Sequence, residues 1–304
     1  MSSNTADYVW MNDEFVNWAD AKVPILTHAL HYGTAVFEGI RAYPSENNLN
    51  IFRLQDHMNR MMNSSKIYYI PSDYTAEVLC RKTVELVKKN KIKSRCYIRP
   101  IIYVGSKGIG LNFTDFPINS AIIAIPFEDY YDTHLLKLRT SSWRKFSEQS
   151  TPPMAKASGN YLNSILCKIE AIKDGYDDAI MLNTEGFICE GTGENLFILK
   201  DNELITPSSS SSILSGITRD TVIHLANDLG LNVSERSITR FELYTAEEAF
   251  FSGTAAEITP IGSVDQRSIG LGESRKWTKK ISAAYQDVVS GRNSKYDSWL
   301  TSVY

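Results

Sequence analysis

The chain has 304 residues, 43% of them hydrophobic and 22% charged, with a net charge of −3 at pH 7. That length and composition suit two ordinary domains with a sizeable core. They offer no basic stripe for nucleic acid and no apolar run near the roughly 18 residues of a membrane span.

In chain order, Met1 to Asp7 is polar and lacks a signal core, so a cytoplasmic location is expected. Tyr8–Met11 and Phe15–Trp18 flank Asn12-Asp13-Glu14, a hairpin pattern. A strand is expected to end at Tyr43, and another covers Leu49–Arg53. Met58, Met61, Met62 and Ser65 follow at helical spacing, and Thr75–Asn90 is a second helix with its basic end where the dipole favours cations. Cys96–Val104 and Ala121–Ile125 read as strands. Composition shifts at Pro126–Thr133, which predicts a small α+β domain over 1–125, a linker over 126–134 and a larger domain over 135–304. The second half shows short strands at Leu135–Ser141, Ala179–Leu182, Asn195–Leu199 and Ala249–Gly253. Helices are expected at Asn160–Lys173, Thr218–Leu229 and Ser274–Val289. The irregular alternation indicates α+β rather than a doubly wound sheet.

Cys80, Cys96, Cys167 and Cys189 are scattered and read as packing thiols. His28 and His31 form H-x-x-H without the partners of a zinc signature, so no metal is expected.

Five stretches are candidates for chemistry, each with a plain alternative. Lys156 lies among small residues just before a helix whose apolar period is Leu162, Ile165, Leu166, Ile169 and Ile172, with Ser158 or Asn160 as its cap. The dipole and desolvation there would depress an amine pKa and suit Schiff-base chemistry; alternatively Lys156 is one more solvated lysine. Cys189–Phe197, C-E-G-T-G-E-N-L-F, lacks the third glycine of a dinucleotide fingerprint. Glu190 could pair with the protonated ring nitrogen of a ligand held by Lys156 or flank an exposed turn, whereas Glu194 reads as the acidic flank of such a turn. Ser208–Asp220 runs from a polar loop through Gly216 into a helix, which is a phosphate site or an ordinary cap. Phe251–Pro260, F-S-G-T-A-A-E-I-T-P, lets backbone N–H groups face a ligand or is a tight turn. Tyr97 and Arg99 share a strand face, for carboxylate recognition or for solvent. Arg60 by itself reads as a solvated helix arginine.

Together these pieces resemble the fold-type IV, pyridoxal-phosphate-dependent aminotransferases, and among them the branched-chain amino acid aminotransferases. The matching motifs are H-Y-G-T-A-V-F-E-G-I-R (His31–Arg41), H-M-N-R (His57–Arg60), Y-I-R-P (Tyr97–Pro100), A-K-A-S-G-N-Y (Ala155–Tyr161), Cys189–Phe197, L-S-G-I-T-R-D (Leu214–Asp220) and Ser252–Pro260. They keep the family's order over nearly the whole chain.

The resemblance implies a two-domain fold with a pseudo-barrel sheet in the larger domain. It implies ping-pong amino transfer from L-leucine, L-isoleucine or L-valine to 2-oxoglutarate, with pyridoxal 5'-phosphate as cofactor. Lys156 would carry that cofactor as a Schiff base and move the substrate proton. Glu190 would keep the pyridine nitrogen protonated, and Tyr161 would bond the ring oxygen. Arg60, Ile217, Thr218 and Thr254 would hold the phosphate, with Leu214 and Gly193 against the ring faces. Tyr97 and the N–H groups of Ala255 and Ala256 would meet the substrate carboxylate. Phe37, Gly39, Phe127 and Tyr130 would wall the side-chain pocket. Arg99, with Tyr32 of a neighbouring subunit, would take the distal carboxylate of glutamate. A homodimer that can assemble into a hexamer is implied, with small-molecule partners and neither nucleic acid nor membrane. Phe127 stands where bacterial members often have tryptophan, and Ser215 where proline is common. D-amino acid aminotransferases and aminodeoxychorismate lyases share the fold and are the alternative, which Y-I-R-P and S-G-T-A-A-E-I-T-P disfavour.

Overall fold

The computed structural model describes residues 6–46, 48–127, 130–131, 135–270 and 275–304. Much of the expected linker 126–134, and the expected helix start at Ser274, lie outside the described residues. The chain divides into two units. The first is Met1–Glu128, Ala155–Gly159 and Val288–Tyr304; the second is Asp129–Met154 and Asn160–Asp287. These units are discontinuous in sequence, where the sequence reading takes continuous ranges. The backbone explains the excursion at Lys156: Phe37 N–H donates to Lys156 O at 3.1 Å, and Lys156 N–H donates to Ser64 Oγ at 3.0 Å.

The first unit is built on β1 (Tyr8–Met11), β2 (Glu14–Asn17), β3 (Ala35–Phe37), β4 (Ile40–Pro44), β5 (Leu49–Phe52), β6 (Cys96–Val104) and β7 (Ile118–Pro126). With the C-terminal strand Leu300–Ser302 they form one sheet, in the order C-terminal strand–β5–β4–β6–β7–β1–β2, with β3 also paired to β6. Asn12 and Asp13 at φ 46° and 72° make the β1–β2 turn, the backbone that asparagine and aspartate tolerate best. The helices are α1 (His28–Tyr32), α2 (Leu54–Ile67) and α3 (Ala76–Lys89). Helix α2 buries Leu54, His57, Met58, Met61, Ser64 and Ser65, a three-and-four spacing that defines one face. That face joins Trp10, Val36, Ile40, Leu86, Ile98 and Ile122 in the core. Helix α3 opens on Thr75, whose hydroxyl accepts from Val78 N–H.

The second unit contains β8 (Leu136–Arg144), β9 (Asp178–Leu182), β10 (Asn195–Lys200), β11 (Glu203–Thr206), β12 (Asn232–Glu235), β13 (Glu248–Gly253), β14 (Glu257–Val264) and β15 (Arg267–Ser268). The sheet order is β12-β11-β10-β13-β14-β8-β9, with β15 on β14. The pairs β11–β12, β14–β8 and β8–β9 are parallel and the others antiparallel. Its helices are α4 (Tyr161–Lys173), α5 (Ile217–Asp228), α6 (Arg240–Tyr244) and α7 (Lys276–Val289). Both sheets mix with helices as an α+β protein should.

Helix α4 departs from the sequence reading. Its apolar period does not face the core of its own unit: Leu162, Ile165, Leu166, Ile169 and Ile172 are exposed, Leu162 at 68%. The buried face carries Ser164, Cys167 and Ala171, small enough to lie close to Ala179 and Met181 of β9. Neither expected side-chain cap forms. Asn160 is already helical at φ −66° and ψ −26°, and its Nδ2 donates to Pro152 O at 3.1 Å.

Candidate active site

Six of the candidate residues lie together in the first unit. Lys156 is half-buried, with Nζ 5.2 Å from the Phe37 ring centroid. On β6 the alternation leaves Tyr97 and Arg99 half-buried on one face, between the buried Cys96, Ile98 and Pro100. Arg99 Nη2 donates to Tyr97 Oη at 2.7 Å, and its guanidinium carbon lies 4.6 Å from the Phe37 centroid. Arg99 Nε is buried without a hydrogen-bond partner among the described residues. Tyr97 packs at 5.4 Å against Phe127. It also lies over Gly39, where an added Cβ would stand 2.2 Å from Tyr97 Oη. Only a residue without a side chain lets the phenol occupy that position. Tyr32, at the end of α1, is 40% exposed and packs on His28.

Arg60 belongs to an arrangement that reading the sequence missed. Glu38 is fully buried, and its carboxylate accepts from Arg60 Nε at 2.6 Å, Arg60 Nη2 at 2.8 Å and His57 Nδ1 at 2.8 Å. Burial works to raise the Glu38 pKa, but the Arg60 charge and then His57 overcome it and hold the carboxyl well below its usual range. His57 is pushed down, chiefly by burial, with Arg60 and Lys156 adding to the effect against Glu38. The signal lay in the spacing of His57 and Arg60 on α2, but their partner is 19 and 22 residues upstream of them. Only the meeting of α2 with the segment between β3 and β4 reveals it.

The second unit holds the other group. Glu190 is 6% exposed and accepts from Lys145 Nζ at 2.7 Å, Leu214 N–H at 3.0 Å and Asn195 Nδ2 at 3.3 Å. A carboxylate offers about four lone-pair sites, so these three donors leave room for one more. Asn195 Nδ2 also donates to Leu214 O at 2.9 Å, tying the loop before α5 to β10. Gly216 stands at the cap of α5 and supplies no capping side chain. An added Cβ there would stand 2.0 Å from Asn195 Oδ1. Ile217 and Thr218 follow in the first turn, 8% and 3% exposed, at the positive end of the dipole. Thr254, Ala255 and Ala256 form the turn between β13 and β14. Tyr161 opens α4 half-buried, Leu214 is half-buried, Gly193 is exposed with open space around its Cα, and Tyr130 is 47% exposed against Tyr131.

Glu194 is not the flank of an exposed turn. It is 6% exposed and shares the Tyr131 hydroxyl, at 3.0 Å, with the fully buried Asp178, at 2.5 Å. Burial, then the Asp178 charge, pushes Glu194 up to about 7. Lys168 Nζ at 2.5 Å, Thr192 Oγ1 at 2.7 Å and Ala179 N–H at 2.7 Å also donate to Asp178. The E-G-T-G-E-N run therefore sends its two acidic side chains, Glu190 and Glu194, to two separate buried positions.

The model of the class IV amino-transferases matches residues 35–264. The branched-chain-amino-acid aminotransferase of Escherichia coli (strain K12) is 43% identical over 308 aligned residues, spanning 100% of this chain and 99% of that one. Among solved structures, the branched-chain aminotransferase of Thermoproteus uzoniensis with norvaline superposes at a TM-score of 0.95 with 47% identity, over 98% of this chain and 100% of that one. The branched-chain amino acid aminotransferase of T.th., complexed with N-(5'-phosphopyridoxyl)-L-glutamate, gives a TM-score of 0.95 and 41% identity, over 98% of this chain and 99% of that one. The chain therefore belongs to the amino-transferase class IV family and, within it, to the branched-chain-amino-acid aminotransferases.

Proposed function

We propose that this chain reversibly transfers the amino group of L-leucine, L-isoleucine or L-valine to 2-oxoglutarate, giving the branched-chain 2-oxo acid and L-glutamate, with pyridoxal 5'-phosphate as cofactor. The observation that carries this reading is the full-length likeness to branched-chain aminotransferases, one of them complexed with a phosphopyridoxyl-glutamate. The residues fit such a group. Glu190 has one acceptor position beyond its three donors, and α5 presents its N-terminus behind a glycine.

When bound, the cofactor supplies an electron sink for the charge that develops at the substrate Cα. Lys156 Nζ would take the proton from the substrate Cα and deliver it to C4′, acting as base and then acid. Glu190 would accept a hydrogen bond from the ring N–H and compensate its charge. Tyr161 would bond the ring oxygen, and Leu214 and Gly193 would lie against the ring faces. Thr218, the Ile217 N–H, Thr254 and Arg60 would hold the phosphate, Arg60 being fixed in place by Glu38, which His57 also bonds. Tyr97 and the N–H groups of Ala255 and Ala256 orient the α-carboxylate, while Phe37, Gly39, Phe127 and Tyr130 enclose an aliphatic side chain. The buried Arg99 Nε is suited to a second carboxylate, which lets glutamate use the same pocket with Tyr32 of a neighbouring copy.

A homodimer is part of this reading. The exposed stripe of Leu162, Ile165, Leu166, Ile169 and Ile172 along one helix supports association, because a patch of that kind marks an interaction surface. Sedimentation of the purified protein as an active monomer would remove that part.

The decisive experiment follows the visible absorption of the purified protein. A yellow band that disappears with L-leucine and returns with 2-oxoglutarate is expected, and Lys156→Ala should abolish the cycle while keeping the fold. A band indifferent to L-leucine but responsive to D-alanine would replace the branched-chain reading.

A further inference from the structure

Lys145 is a lysine with no place in the mechanism above, and its setting is unusual. It lies just beyond the end of β8, and only 8% of its side chain is exposed. Its Nζ stands 2.7 Å from Glu190 Oε1. Burial alone would strip the proton from such an amine, yet the Glu190 charge more than offsets this and raises the Lys145 pKa; Tyr161 and Cys189 also face it. Burial pushes the Cys189 thiol up, so it stays protonated and adds no charge. Around the pair, Leu214 N–H and Asn195 Nδ2 both reach the other oxygen, Oε2. The donors at Glu190 thus divide: two neutral ones at Oε2 and the ammonium at Oε1.

Resting on the function proposed above, we infer that Lys145 is a positioning residue for the cofactor's ring nitrogen, acting through Glu190. It fixes Glu190 Oε1 through an ammonium 2.7 Å away and so holds the carboxylate in one orientation. A carboxylate so held would keep its remaining acceptor position for the ring N–H. Tyr161 lies within the field of the same ammonium.

The test compares cofactor-loaded wild type, Lys145→Met, Lys145→Arg, Glu190→Gln and the double variant Lys145→Met/Glu190→Gln. Lys145→Met should slow the single-turnover reaction with L-leucine on the order of 10- to 100-fold and shift the pH at which the bound cofactor's visible band titrates. Lys145→Arg, which keeps the charge, should restore both. The double variant should be no slower than Glu190→Gln alone, because the lysine acts only through that carboxylate. An unchanged rate and titration in Lys145→Met, or additive losses in the double variant, would overturn the proposal. Should Lys145→Met fail to fold, Lys145→Gln removes the charge while keeping a donor and is judged by the same two readouts. Wild-type protein that binds no pyridoxal phosphate would sink the proposed function itself, which separates the two failures.

Discussion

Glu38 and Arg60 form a two-bond pair, Oε1 to Nε at 2.6 Å and Oε2 to Nη2 at 2.8 Å, with the carboxylate wholly shielded from solvent. Such forked pairs fix a guanidinium in direction as well as in place. Glu38→Gln keeps the shape but removes the charge that Arg60 and His57 surround. A loss of about 3 kcal/mol is expected, as for other buried pairs broken on one side. The contribution has a pH signature too. The folded pKa of Glu38 is depressed, so its stabilisation is fully present above the unfolded carboxylate range, near ~4.3, and is lost as the pH falls below it. Urea titrations of wild type and Glu38→Gln at pH 7 and pH ~3.5 should show the gap between them narrow at the lower pH.

Gly39 sets a limit on Tyr97. Gly39→Ala would place a methyl group 2.2 Å from Tyr97 Oη, and that hydroxyl is already held by Arg99 at 2.7 Å. The ring must swing away and break the bond. KM for L-leucine should rise about tenfold, equivalent to ~1.4 kcal/mol, with the melting temperature little changed. Unchanged steady-state constants would mean that Tyr97 Oη does not contact the substrate.

Arg99 should separate the two substrates. Its removal takes away a charged donor that an aliphatic side chain cannot use. Arg99→Ala is expected to lower kcat/KM for 2-oxoglutarate and L-glutamate by roughly 10- to 100-fold, in line with ~1.5–3 kcal/mol for a charged hydrogen bond. The value for L-leucine should change far less. Equal losses for both would dismiss the account of a pocket shared by two kinds of side chain.

Glu194 gives the protein a second pH dependence of opposite sign. Its folded pKa is raised to about 7, so between the unfolded value and 7 the folded chain holds a proton that the unfolded chain has released. Stability from this group falls as the pH rises through that window, by an amount on the order of 2 to 3 kcal/mol. Glu194→Gln mimics the protonated form and should flatten the decline between about pH 5 and 7.5. Melting curves across that range decide the matter; a decline of the same size in the variant would place its origin elsewhere.

Much of this molecule follows from the chain itself. The hairpin turn at Asn12-Asp13, strand β6, helices α3 and α5 and the alternation of Tyr97 with Arg99 are local matters, decided by turn chemistry, periodicity and capping. The motif order from His31 to Pro260 likewise carries the family. What the chain alone leaves open depends on partners distant in sequence. A short, weakly patterned strand such as β11 or β12 exists because a neighbour pairs with it. Helix α4 has the apolar period of a core helix, yet the small residues on its other face let that side pack on β9 and leave the apolar stripe exposed. Glu194 reads like its neighbours in a polar turn until Asp178 and Tyr131 enclose it. The same holds for the partners of Glu38 and Glu190. A buried charge is tolerated only beside its counter-charge, and that counter-charge comes from another element, so tertiary packing alone decides which one it is.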